Sequence, residues 1–246
     1  MRRLITPTTR KIIANLIDNN QSRRDRWVLG QSQKVAAAAK VLDLGAGGAP
    51  YRAFFSHCIY KTQDFALLKE DQIVEGGYTQ IDYVCDAKCI PEKDGFFDVV
   101  LCTEVLEHLP DPIPVIREIS RLLRPGGTLL LTAPLGSGIH QEPFHFYGGY
   151  TPYFYHKVLG ENGFKQIHIE ANGGSFAHFA QWCVWFVKST LNHFLHDSSV
   201  TAKLLFVVVF LVTSVPMGLM YALSRFLDRY DMEKRFTVGY HLVATK

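Results

Sequence analysis

Val41-Leu-Asp-Leu-Gly-Ala-Gly-Gly-Ala-Pro50 decides how the chain is read. An apolar run passes without a break into a cluster of small residues, the pattern of a buried strand feeding a tight turn. Side chains at such a turn would obstruct a ligand, so glycine lets the backbone approach a nucleoside closely. Asp43 stands at the end of the apolar strand, where a carboxylate is costly unless an ammonium, or a water held by one, answers it. Pro50 takes the place of the third glycine of a dinucleotide fingerprint, which weakens a pyrophosphate reading. Taken alone, the turn also fits a plain strand-to-helix connection.

Downstream of the turn, short β-branched runs alternate with helical stretches from Lys40 to Phe164, as in repeated βαβ units. The pattern predicts strands over Val41–Leu44, Ile59–Thr62, Tyr83–Cys85, Asp98–Cys102, Thr128–Thr132 and Lys165–Glu170. It predicts helices over Ala49–Ser56, Pro112–Leu123 and Pro152–Asn162, the last two stopped by Pro125-Gly126-Gly127 and by Gly163. Upstream, residues 1–38 read as a helical preface, with Ile12, Ile13, Leu16 and Ile17 on one face after a cap at Thr8 or Thr9. Residues 175–228 break the alternation as two long apolar helices, and Thr237–Thr245 reads as a final strand. The expected domains are the preface (1–38), an α/β domain (39–174 with 235–246) and an apolar helical insertion (175–234).

Two carboxylates extend the reading of the turn. Asp64 lies at the end of the second strand, roughly 20 residues on, where an acid accepts from both ribose hydroxyls; a solvated loop aspartate is the plainer alternative. Asp86 follows the third strand and can accept from an adenine amino group, or merely cap its loop. Hydrophobic residues make up 48% of the 246 and charged residues 20%, which is globular rather than disordered. The net charge of +3 comes without a basic stripe interleaved with aromatics, so no nucleic-acid partner is expected. Cys58, Cys85, Cys89, Cys102 and Cys183 match no zinc or disulfide framework and read as reduced thiols. No secretory signal follows Met1, which places the N terminus in the cytoplasm.

With Phe97-Asp-Val-Val-Leu-Cys-Thr-Glu-Val-Leu-Glu-His-Leu109 and Arg121-Leu-Leu-Arg-Pro-Gly-Gly-Thr128 added, five motifs stand in order. Over about residues 38–172 and the final strand, the chain resembles the class I S-adenosylmethionine-dependent methyltransferases, in their type 11-like branch. The resemblance implies a Rossmann-like, doubly wound α/β fold: a seven-stranded sheet, mostly parallel, whose last strand is antiparallel. It also implies S-adenosyl-L-methionine as cofactor, bound across the carboxyl ends of the first strands. Carried over by position, Asp43, Gly45, Ala46 and Gly47 match the methionine and backbone-contact motif. Asp64, followed by Phe65, matches the ribose acid, and Asp86 with Ala87 matches the adenine site. Cys102, Thr103 and Glu104 match the floor after the fourth strand. The continuation Gly48-Ala49-Pro50 departs from the usual pattern.

Methyl transfer from a sulfonium is an in-line displacement, so positioning in a dry pocket carries much of it and no metal or covalent nucleophile is required. A general base is the remaining need, and histidine suits it. His140 and His145 are the catalytic candidates, in a glycine-punctuated aromatic loop after the fifth strand; each could equally fix the loop by hydrogen bonds. This loop resembles the His-x-x-Pro and Tyr-Thr pattern of methyltransferases found with bacterial surface-polysaccharide genes, with Gly148-Gly149 in place of a bulkier pair. His108 reads as structural or pocket-lining, and Cys102 as packing.

Leu204–Leu223 is free of charge for twenty residues, long enough to cross a ~30 Å hydrocarbon core. The strand after it must rejoin the sheet, which argues against a single crossing. Three readings stay open: a shallow hairpin in the cytoplasmic leaflet, a lid over a lipid-like acceptor, and a homodimer interface. Lys203, Arg225, Arg229, Lys234 and Arg235 flank the run and suit an anionic surface. The expected function is methyl transfer to a small-molecule acceptor, glycan- or lipid-linked. Its rivals are a nicotinamide-dependent oxidoreductase and a non-catalytic, membrane-associated cofactor-binding scaffold.

Overall fold

The computed structural model describes residues 20–73, 77–195 and 200–246. The helical face expected around Ile12–Ile17 lies outside the described residues. The described part of the preface, residues 20–38, consists of helix α1 (Asn20–Ser32) and the turns that follow it. The strands are β1 (Lys40–Leu44), β2 (Ile59–Asp64), β3 (Tyr83–Val84), β4 (Phe97–Thr103), β5 (Leu123–Pro134), β6 (Lys165–Ala171) and β7 (Gly239–Thr245). Helices α2 (Pro112–Leu122) and α3 (Pro152–Glu161) lie between strands, and α4 (Ser175–Leu195) and α5 (Val200–Leu227) follow β6. The chain divides into two compact units, one running through Glu170 and resumed by Gly239–Lys246, the other Ala171–Val238.

In the first unit the seven strands lie in the order β3-β2-β1-β4-β5-β7-β6. β1 pairs in parallel with β2 and β4, and β7 runs antiparallel to β5. The reason is visible in the sequence: strands covered on both faces read as continuous apolar runs. Val41, Leu42 and Leu44 of β1 and Val100, Leu101 and Cys102 of β4 are fully buried. Val28 of α1 packs with Tyr51, Phe55, Val99, Leu101 and Leu130, so the preface helix is part of the sheet's cover. Strand order reverses between β1 and β4, and a crevice opens at such a switch point beyond the carboxyl ends of the strands.

Two expectations are corrected. No helix spans Ala49–Ser56; only a short 3-10 turn, Arg52–Phe55, forms. Ala49 sits at φ +51° and Pro50 follows it, so the chain leaves the glycine turn in a left-handed step that cannot start an α-helix. Pro125-Gly126-Gly127 is likewise not a plain helix stop, because α2 ends at Leu122 and β5 already begins at Leu123. The pairing jumps from Phe97↔Leu123 to Val99↔Thr128, and the bulge absorbs the extra residues. Gly127 is needed there, since a Cβ would come within 2.9 Å of the Arg124 carbonyl oxygen and 3.2 Å of that of Asp98.

In the second unit α4 and α5 pack against each other as a hairpin. Its open end is tied by two aspartates: Asp228 Oδ1 accepts from the amides of Gly174 and Ala177 at 3.0 and 2.7 Å, and Asp231 Oδ2 from Ser175 at 2.7 Å. These bonds satisfy amides that a helix start leaves without an intrahelical partner. Val208, Val212, Val215, Leu219, Leu223 and Phe226 are exposed, and their spacing of three and four places them in one stripe along α5. On α4, Phe179, Trp182, Trp185 and Phe186 are exposed too. Val208–Tyr230 is long and apolar enough to cross a membrane by length and composition.

Candidate active site

The carboxyl ends of β1 to β4 open into a cavity of about 730 Å³, within the usual range for a small-ligand site. Asp43, Gly45, Ala46, Gly47, Asp64, Phe65, Asp86, Ala87, Thr103, Glu104 and His140 all line it. Cys102 and His145 do not: Cys102 is fully buried inside β4, where burial pushes its thiol far up, and His145 stands beside His140 with ring centroids 4.6 Å apart.

The glycine turn is strapped to β2. Gly45 and Ala46 both donate their amides to the Gln63 carbonyl, at 2.9 and 3.0 Å. Gly45 has φ +70°, and a Cβ there would overlap the Val105 side chain, so this position is restricted to glycine twice over. Asp43 is buried beneath the turn and accepts from the Tyr60 hydroxyl. Burial first, and the neighbouring Asp64 charge second, push its carboxyl up to about 7, against the pull of Tyr60 and Arg52. A carboxyl so raised favours a cation beside it.

Asp64 is also buried, and both its oxygens hold backbone: Oδ2 accepts from Gly47 N and Oδ1 from Ala66 N, each at 2.9 Å. Each oxygen keeps a further lone pair, so the acid can still accept from a diol. Asp86 is exposed and accepts from the Lys88 amide at 2.9 Å. Glu104 sits at φ +53° and is fixed by Thr132 Oγ1 at 2.8 Å and by Arg24 and Asn20 from α1, both at 3.2 Å. Arg24 therefore lines the cavity from the preface, a role that nothing in the spacing of residues 20–32 signalled.

The opposite end is made of histidines. The rings of His108, His140 and His145 cluster with centroids 4.6 to 5.9 Å apart. His108 Nδ1 donates to the Phe144 carbonyl at 2.5 Å; burial, with His140 and His145 adding repulsion, holds this imidazole down at about 4. His145 Nε2 is 3.0 Å from Ser137 Oγ, and burial, then His140, lowers its pKa. Glu107 is buried beside His108, and burial followed by repulsion from Glu104 raises its carboxyl well above the usual range. Its backbone carbonyl accepts from Phe146 and Tyr147 at 2.9 and 3.2 Å, which folds the loop after β5 over the cavity mouth. Gln141 and Gln72 add a reciprocal tie, each donating to backbone on the other's segment at 2.9 and 3.0 Å.

Residues 42–131 match the family model described as a methyltransferase domain. A ubiquinone biosynthesis O-methyltransferase of Pseudomonas aeruginosa is 35% identical over 103 residues, 39% of this chain and 44% of the relative. The match thus spans less than half the length of that curated relative. Among solved structures, phosphoethanolamine N-methyltransferase 2 of Haemonchus contortus, in complex with S-adenosyl-L-methionine, aligns with a TM-score of 0.51 at 18% identity, over 90% of this chain and 51% of that one. The 4+2 cyclase SpnF aligns with a TM-score of 0.56 at 16% identity, over 93% and 82%. At these identities the structures establish the fold, which is that of the class I methyltransferases. Residues 42–131 are thus matched as a methyltransferase domain, and the Haemonchus relative holds S-adenosyl-L-methionine. The residues present fit that molecule: a buried acid at Asp43 that favours a cation, a backbone turn a Cβ would fill, and a second acid in reach of a diol.

Proposed function

We propose that this chain transfers the methyl group of S-adenosylmethionine to a hydroxyl of a small acceptor anchored in, or presented at, the cytoplasmic face of a membrane. The observation that carries the transfer is the cavity itself, with two buried acids and a glycine turn at one end and a histidine cluster at the other. In this reading Asp43 faces the cofactor's ammonium, the Gly45–Gly47 backbone borders its methionine part, Asp64 takes the ribose diol, and Asp86 with Ala87 takes the adenine. Phe65, Thr103 and Glu104 close the walls, with Cys102 supporting them from inside β4. The cofactor supplies an electrophilic methyl group; the protein binds, orients and keeps water out. His140, backed by His145, forms the acceptor's polar end, where a proton must leave.

A lipid-linked hydroxyl is favoured by two independent features. The exposed stripe on α5 and the tryptophans of α4 offer an apolar surface with basic flanks, suited to lying in one leaflet. The relative named above is an O-methyltransferase of ubiquinone biosynthesis. Incubation of the pure protein with methyl-labelled cofactor and a bacterial lipid extract tests the proposal. Label should move into an organic-soluble product in a base-stable ether; label confined to aqueous glycans or to protein would refute the lipid-linked acceptor.

A further inference from the structure

Glu107 and His108 stand side by side in the 3-10 turn Leu106–His108 that follows β4, and His140 reaches them from the loop after β5. One ligand atom from each lies within 4.8 Å of the other two. Glu107 Oε1 is 3.7 Å from His108 Nε2, while Oε2 is buried with no hydrogen-bond partner, in a residue only 1% exposed. A buried acceptor without a donor costs free energy, and native proteins rarely leave one so.

Both imidazoles are oriented in the same way. His108 donates from Nδ1 to the Phe144 carbonyl, and His140 donates from Nδ1 to the Gly138 carbonyl at 2.9 Å. The bonds fix the tautomer whose lone pair is on Nε2, the arrangement metal-bound histidines adopt, with the second nitrogen held by backbone. Two neutral imidazoles and a carboxylate form a three-ligand set suited to a divalent first-row transition metal, and all three residues line the cavity. His145 is not part of this three-residue set; its Nε2 is 3.0 Å from Ser137 Oγ.

We infer that Glu107, His108 and His140 hold a divalent transition-metal ion at the acceptor end of the cavity. The role of the ion rests on the methyl-transfer reading above: an acceptor hydroxyl meeting it would become more acidic, and the O–H proton would pass to water. The electron pair left on oxygen would form the new O–CH3 bond as the methyl–sulfur bond breaks, its pair returning to sulfur and S-adenosylhomocysteine leaving as a neutral thioether. The displacement itself needs no metal; the ion prepares the oxygen.

The test is a titration of the full chain, stripped with chelator, with Co²⁺ followed by visible absorption, repeated with Zn²⁺ by calorimetry. One equivalent should bind with the d–d bands of a low-coordinate nitrogen and oxygen site. His140→Ala, on the exposed loop, should weaken binding at least roughly tenfold, and Glu107→Gln similarly. S-adenosylhomocysteine affinity of the same proteins serves as the check that they are folded. Metal affinity that is absent, or unchanged in His140→Ala while S-adenosylhomocysteine still binds, overturns the inference. A protein that binds metal but neither cofactor nor its product would instead overturn the methyl-transfer reading and leave the metal site standing.

Discussion

At the cofactor end of the cavity the chain contributes short turns that leave the sheet and are strapped straight back onto it. Gly45 and Ala46 bond to Gln63, and Gly47 to Asp64. At the histidine end the side chains come from a turn after β4 and from a loop after β5, joined through the Glu107 carbonyl, and the Gln72 and Gln141 bonds tie that loop to the segment after β2. Rigid turns suit a ligand whose shape is always the same, while a loop over the mouth suits an acceptor that must enter and leave. Substitutions at the two ends should therefore separate: cofactor affinity should respond at the first and turnover at the second.

Gly45→Val is expected to have the largest effect on S-adenosylhomocysteine affinity. It forces a β-branched residue to φ +70° against Val105, and calorimetry should find no binding. Asp64→Ala should come next, with a loss on the order of 2 to 4 kcal/mol from the missing charge-assisted bonds. Because the Asp64 carboxylate also holds Gly47 and Ala66, Asp64→Asn should recover part of that loss, and equal affinity for the two variants would mean that the acid acts only on the ribose.

Acidity probes the same end more gently. Asp43 titrates at about 7 in the free protein, so below that pH it is protonated and must give up its proton to face an ammonium. Affinity should be full above about 7 and fall by up to about tenfold for each pH unit below it; calorimetry in buffers of different ionisation enthalpy should detect the released proton. A flat profile between pH 5 and 7 would take Asp43 out of contact with the ligand's charge. His140→Ala should have the smallest effect on affinity, within about twofold, while lowering turnover by about a hundredfold. A variant that instead lost cofactor affinity and kept its turnover would merge the two ends.

What the sequence disclosed follows the same division. β1 and β4 were legible because strands buried on both faces are apolar throughout, and the turn because glycine has few other reasons to cluster after such a strand. The helix expected at Ala49–Ser56 failed on a left-handed Ala49, a conformation that propensity alone assigns to glycine. Arg24 was missed because the packing of α1 on the sheet brings it to the cavity, and no local spacing records that. Glu107 and His108 stand 33 and 32 residues from His140, too far apart to form a recognisable ligand spacing; only the fold of the loop after β5 unites them. In the second unit the apolar run was plain, whereas the exposed stripe on α5 needed side-chain positions to be seen.

The central claim is that the cavity at the carboxyl ends of β1 to β4 is built for a sulfonium nucleoside and not for a dinucleotide. Isothermal titration of the purified chain with S-adenosylmethionine, S-adenosylhomocysteine and NAD tests this most directly. One equivalent of each of the first two should bind, with NAD giving no heat beyond dilution. Saturable NAD binding, or a folded protein that takes up neither sulfur compound, would contradict it.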